Sequence, residues 1–240
     1  MFAGQKVAVI MPALNEAEAI GAVIGQIDRE LADWVVVGDN GSTDATAEIA
    51  AAAGALVRRE ERRGYGSACL KAITAGPEAE ILVFLDADGG DDPRELSQLL
   101  QALMTNDTQI VIGSRVTGQA EAGSLTPIQR FGNALTCTLV RLMWGVRYTD
   151  LGPFRAIRRQ AYESLQMQDP DYGWTIELQV KAAQAGLAVT EVPVSYRNRQ
   201  AGHSKVSGTV SGSWRAGKRI LGYVLAAKAK ELMTNDRRRA

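Results

Sequence analysis

The chain has 240 residues, 46% of them apolar, and 27 Lys or Arg balance 27 Asp or Glu. That supports one large α/β domain with a sizeable core and argues against disorder except at the ends. No apolar run approaches the ~20 residues of a membrane-spanning helix, and Cys69 and Cys137 lack metal-ligand or redox spacing, so a reducing cytoplasmic setting without a secretory signal is expected.

Val7 to Met11 reads as a first buried strand. After Pro12 and Ala13, Asn15 and Glu18 form a capping pattern for a helix running to about Leu31. Glu16, an acid in a first turn, carries no signal alone. Trp34 to Gly38 is a second strand, followed by Asp39-Asn40-Gly41-Ser42-Thr43-Asp44. Asn40-Gly41 makes the turn, and Thr43 or Asp44 caps the next helix. Asp39 is left over, at a strand end suited to a ribose hydroxyl or a base edge.

A short strand at 55–58 leads through Arg62-Arg63-Gly64-Tyr65-Gly66 into a helix ending near Ala75. Glycines at a helix start permit close backbone approach to phosphate, though an ordinary loop accounts for them equally. Ile81 to Leu85 is a buried strand that delivers Asp86 and Asp88 to the carboxyl edge of a parallel sheet, where ligands bind in open α/β folds. Two carboxylates one residue apart can hold a hard divalent cation, and the cation a diphosphate. Asp92-Pro93-Arg94-Glu95 is a helix start. The alternation to this point is that of a doubly wound, mostly parallel sheet.

Gln109 to Gly113 is the next strand and places Arg115 at the same edge, suited to an anionic oxygen. Residues 116–126 read as a mobile loop, and 127–144 as a helix with Ile128, Phe131, Leu135, Leu139 and Leu142 on its apolar face. That face is read as core, with a dimer interface or a membrane surface as the alternatives. Asp150 and Arg155 bracket a tight turn, and Glu177 falls in the first turn of a helix over 174–185. A strand over 189–194 leads to Arg197-Asn198-Arg199-Gln200-Ala201-Gly202-His203-Ser204-Lys205, a cationic turn suited to surrounding phosphate. Residues 196–240 hold eleven Lys or Arg against only Glu231 and Asp236. The helix over 214–233 is basic and amphipathic, able to cover the domain or rest on an anionic membrane.

Nine of these motifs stand in one order: Pro12-Ala13-Leu14-Asn15-Glu16; Asp39 to Asp44; Arg63 to Ala68; Asp86-Ala87-Asp88 with Pro93 five residues on; Gly113-Ser114-Arg115; Asp150 to Arg155; Tyr172 to Glu177; Glu191 to Val194; and Arg199 to Lys205. Together they resemble the family 2 glycosyltransferases of the GT-A fold, most closely the dolichyl- or polyprenyl-phosphate mannose and glucose synthases. The resemblance implies a GT-A domain over residues 1–212, an appended helix over 213–233 and a disordered tail over 234–240. It implies transfer of a hexose from GDP-mannose or UDP-glucose to a polyprenyl phosphate, with inversion and with Mg²⁺ or Mn²⁺. Pro12, Ala13, Asn15, Glu16, Asp39 and Gly64 would line the nucleotide pocket. Asp86, Ala87 and Asp88 would form the metal motif. Gly89-Gly90-Asp91 departs from the family by removing a third ligand or substituting Asp91. Arg115 and Arg130 would face the acceptor phosphate, Asp150, Arg155 and Glu177 would shape the sugar side, and Arg199, Ser204 and Lys205 would close over the phosphates.

An anionic acceptor needs no general base, in keeping with a single histidine. A hydroxyl acceptor would need one, with Asp150 or Glu177 as candidates. A nucleotidyltransferase lacks its Gly-rich, cationic loop after the first strand, and a binding protein without turnover is the non-enzyme alternative. Nucleic acid is not an expected partner, because the basic tail lacks interleaved aromatics.

Overall fold

The structure, a computed structural model, describes residues 1–105, 107–199 and 210–239, with side chains of the last helix described over 217–233. Seven strands form one sheet in the order β3-β2-β1-β4-β6-β5-β7. They are β1 (Val7–Ala13), β2 (Trp34–Asp39), β3 (Leu56–Arg59), β4 (Ile81–Phe84), β5 (Ile110–Ala120), β6 (Arg155–Arg158) and β7 (Val189–Tyr196). All neighbours run parallel except β6, which is antiparallel to both β4 and β5. The expected α/β sheet, mostly parallel, is therefore present, and β1, β2 and β4 end side by side at one rim.

Helices cover both faces: α1 (Ile20–Gly25), α2 (Thr46–Ala52), α3 (Tyr65–Thr74), α4 (Leu96–Leu103), α5 (Pro127–Trp144), α6 (Arg159–Leu165), α7 (Trp174–Ala185) and α8 (Val210–Arg239). The central strands are apolar on both faces, as a doubly covered sheet requires. One core layer packs Val9, Met11, Val35, Val83 and Leu99; the other packs Ile10, Phe84, Ile112, Trp174 and Val180. On the second face Phe84, Tyr162 and Trp174 meet at ring separations of 6.0–6.2 Å.

Several local expectations are corrected. Asn15 does not cap a helix: its φ is +50°, and α1 starts at Ile20 and ends at Gly25. Its side chain instead accepts the Thr43 amide at 2.8 Å, tying the loop after β1 to the loop after β2. Strand β5 continues through the supposed mobile loop to Ala120 because its far end pairs with β7 across an irregularity between Ser114 and Gln119. Gly64 and Gly66 meet a packing requirement that the sequence did not show. A Cβ on either would lie about 2 Å from a backbone carbonyl oxygen, that of Pro170 or Asp169, and the Ser67 amide already donates to Pro170.

Helix α5 has the expected bounds and a Thr126 capping box, but only part of its apolar face is core: Leu139 and Met143 pack against the buried cluster, whereas Ile128, Phe131 and Leu142 face outward. Phe131 is 70% and Leu142 77% exposed, and only Thr136, Cys137 and Val140 are buried. Helix α8 lies against α5 and α7 and continues past the expected end at Met233. Val224 is its buried anchor. Lys228 donates to the Met143 carbonyl, and Glu231 accepts the Trp144 indole N–H at 2.6 Å.

Candidate active site

The loops after β1, β2 and β4 converge at the carboxyl rim. Strand register sets Ala13 beside Asp39 and Pro12 beside Gly38, and the Asn40 amide donates to the Ala13 carbonyl. Asp39 is buried. Its Oδ1 accepts the Ser42 amide, while Oδ2 has no hydrogen bond among the described residues and lies 3.6 Å from Arg59 Nη1. A buried carboxylate oxygen without a donor is costly, so this atom suits an incoming N–H or O–H. Across the rim, the Glu16 amide donates to Thr46 Oγ1.

Asp86 and Asp88 follow β4. Tyr65 donates to Asp86 at 2.9 Å. Burial, and then the Asp88 charge, push the Asp86 carboxyl up to about 7. Asp88 accepts the Gly90 amide at 2.8 Å and Arg199 Nη2 at 2.7 Å, while the same arginine reaches Glu16 at 3.0 Å. Asp91 is 2% exposed with both oxygens unpartnered among the described residues, and burial followed by the Asp86 charge raises its pKa well above the usual range. Among the described residues no three acid, histidine or cysteine side chains converge on one cation position, so Asp91 does not complete a three-ligand set with Asp86 and Asp88. The two rim carboxylates nonetheless fit a hard cation. They are crowded acids, and the Arg199 guanidinium already supplies positive charge at Asp88.

Arg115, at the end of the inner part of β5, is held by Asp150. Its Nε and Nη2 donate to the two carboxylate oxygens at 2.7 and 2.8 Å, and its own amide adds a third bond at 2.8 Å. Its Nη1 makes no hydrogen bond among the described residues. Glu191 accepts the Thr149 amide and hydroxyl, and Gln179 donates to the Asp150 carbonyl, so the 149–152 turn is fixed from two sides. Arg155 lies beneath it, 2% exposed, donating to the carbonyls of Gly152, Thr175 and Leu151 and to Gln179 Oε1. With no carboxylate partner among these, burial pushes its pKa down to about 10. Glu177 accepts the Gln168 and Asp169 amides and pairs with Lys181 at 2.8 Å. Arg155 and Glu177 thus shape the site by holding chain segments.

The rim therefore gathers Pro12, Ala13, Asn15, Glu16, Asp39, Asp86, Ala87, Asp88, Arg115, Asp150 and Arg199. Arg130, exposed on α5, is off the rim but lines the cavity beside Arg115, and Ser204, Lys205 and His203 fall outside the described residues. Sequence reasoning missed Tyr65, Glu191 and Tyr196, although Tyr65 and Glu191 stand within motifs it singled out. Beside Arg115 and Asp150 opens a cavity of about 820 Å³ between α5, the outer part of β5 and α8, lined by Ile128, Phe131, Leu135, Leu151, Ile220 and Leu221 among others.

Residues 8–166 match the model of the family described as glycosyl transferase family 2. The chain is 39% identical to an uncharacterized glycosyltransferase of Mycobacterium tuberculosis over 212 residues, 88% of this chain and 94% of that protein. It is 33% identical to a dolichyl-phosphate hexose transferase of Haloferax volcanii over 226 residues, 93% and 96% of the two chains. Among solved structures, glucosyl-3-phosphoglycerate synthase from Mycobacterium tuberculosis, in complex with Mn²⁺, UDP and glucosyl-3-phosphoglycerate, superposes with a TM-score of 0.78 at 26% identity, covering 95% of this chain and 81% of that one.

Proposed function

The chain belongs to glycosyltransferase family 2, and on that premise we propose that it moves a hexose from a nucleoside-diphosphate sugar to a polyprenyl phosphate, with inversion at the anomeric carbon. The observation that carries the acceptor class is the cavity of about 820 Å³ beside Arg115. Its apolar walls suit a hydrocarbon chain, and an arginine at one end suits the phosphate that such a chain carries. The phosphoglycerate of the structurally similar synthase is a small polar anion with no use for such walls.

Asp39 receives the base or ribose, with Pro12, Ala13, Asn15 and Glu16 around it. Asp86 and Asp88 would hold Mg²⁺ or Mn²⁺, which when bound would neutralise charge on the leaving diphosphate. Arg115 offers Nη1 to the acceptor phosphate while Asp150 fixes its orientation. A phosphate oxygen attacks the anomeric carbon, the carbon–oxygen bond to the diphosphate breaks, and the electron pair leaves on that diphosphate. No proton moves, so no base is required. The engagement of Asp150 by Arg115, and of Glu177 by two amides and Lys181, supports this over a hydroxyl acceptor.

Ile128, Phe131, Leu142, Leu225, Leu232 and Met233 are exposed on α5 and α8, helices that also carry Arg130, Arg141, Lys218 and Arg219. Among the described residues no helix is long and apolar enough to cross a membrane. We infer that the chain works at the cytoplasmic face, resting this apolar and basic surface on anionic lipid. The test is nucleotide release from UDP-glucose and GDP-mannose with Mn²⁺, with and without a short polyprenyl phosphate, and with Asp88→Ala as the blank. Lipid-dependent release that vanishes in the variant is expected; lipid-independent release would refute the acceptor.

A further inference from the structure

Tyr196, the last residue of β7, stands between the two halves of the site. On one side its ring packs against Gly90: a Cβ there would lie 2.8 Å from Tyr196 Cε2, 3.1 Å from Cζ and 3.1 Å from Asp88 Oδ1. On the other, the Arg115 guanidinium lies over the ring, 4.9 Å from its centroid. The backbone is held as well, since Tyr196 bridges to Asp91 and its carbonyl accepts the Glu121 amide. The ring is therefore clamped, with its hydroxyl-bearing carbon and Asp88 Oδ1 both close to Gly90.

The hydroxyl itself makes no hydrogen bond among the described residues. A largely covered tyrosine normally finds a partner for its O–H, and the charges around this one are Asp88, Arg115, Asp91 and Asp86. A phenol is protonated at neutral pH, so the group is a hydrogen-bond donor. A donor surrounded by acids and beside a cation site matches an oxygen of a ligand that brings both negative charge and many acceptors.

We propose that the Tyr196 hydroxyl donates to the diphosphate of the nucleotide sugar, making Tyr196 a donor-binding residue positioned by Gly90 and Arg115. This rests on the glycosyltransferase reading but not on the identity of the acceptor. The test uses the full chain and Tyr196→Phe, which keeps the ring and its stack. With Mn²⁺ present, titration calorimetry compares UDP and GDP with the corresponding monophosphates. The expected result is roughly tenfold weaker diphosphate binding, the scale of one hydrogen bond to a charged group, with monophosphate affinity and melting temperature unchanged. Tyr196→Leu, which also removes the stack, should show the same loss together with a lower melting temperature. Equal diphosphate affinity in wild type and Tyr196→Phe would overturn the inference, and so would an equal loss for mono- and diphosphate. Wild-type transfer to polyprenyl phosphate with an unaffected Tyr196→Phe would sink this inference alone. Transfer to a different acceptor with the expected Tyr196→Phe loss would sink only the acceptor reading.

Discussion

Replacing Asp150 with Asn separates positioning from proton transfer. Asp150 is fully buried and accepts three N–H groups of Arg115 within 2.8 Å. Removing one charge of a buried pair costs about 3–5 kcal/mol because the other is left uncompensated. The amide is isosteric and its oxygen still accepts, so the lower end, about 3 kcal/mol, is expected. With a urea m-value near the upper end of the usual range, about 3 kcal/mol per M, the unfolding midpoint should fall by about 1 M at unchanged m. Turnover at saturating acceptor should survive, with the defect falling on acceptor KM, because Arg115 is misplaced rather than absent. The joint variant Arg115→Met/Asp150→Leu should regain part of the stability, as apolar replacement of buried pairs often does, but not acceptor binding. Unfolding by urea, followed by circular dichroism alongside steady-state kinetics, reads both effects. A variant of wild-type stability whose kcat falls by about 10²–10⁴, the range for loss of a general base, would refute this reasoning and make Asp150 the base.

Other outcomes follow from packing and charge. Gly38→Ala would put a methyl 2.2 Å from the Ala68 carbonyl oxygen, forcing β2 and α3 apart, and calorimetry should show a loss of about 1–3 kcal/mol. Glu231 is held below the ordinary glutamate value of 4.5 by the Trp144 indole and then by Lys228. Its folded-state pKa is depressed, so its support for α8 is complete above about pH 4.5 and is lost as pH falls through the folded value. Indole emission of the wild type, compared with Trp144→Phe, should report release of that contact only on the acid side. Phe131→Asp joined to Leu142→Asp should abolish flotation with anionic vesicles while leaving nucleotide binding intact; retained flotation would exclude this face from membrane contact.

The sheet was legible because buried parallel strands are apolar throughout and their polar residues gather where the chain leaves the sheet. Asp39, Asp86, Asp88 and Arg115 could be placed at one rim for that reason alone. Asn15 misled because Asn is common both at helix caps and in the left-handed conformation, and only the partner, the Thr43 amide, decides between them. The face of α5 was half legible: Leu139 and Met143 pack on the core as read, but an amphipathic pattern states that one side is apolar, not how far it is covered. Gly64 and Gly66 read equally as a phosphate approach or an ordinary loop, and only the approach of Asp169 and Pro170, a hundred residues away in sequence, reveals their packing role. Tyr196 gave no signal, since its meaning depends on Gly90 and Arg115 meeting its two sides. The bidentate engagement of Asp150 was equally invisible, although both partners had been singled out.

The central claim is the acceptor. With the sugar of the donor labelled and Mn²⁺ present, the chain would be offered a short polyprenyl phosphate and 3-phosphoglycerate at equal concentration, and the label partitioned between organic and aqueous phases. The account predicts label in the organic phase, dependent on Asp88 and Arg115. Label carried into water on phosphoglycerate, with none on the lipid, would contradict it.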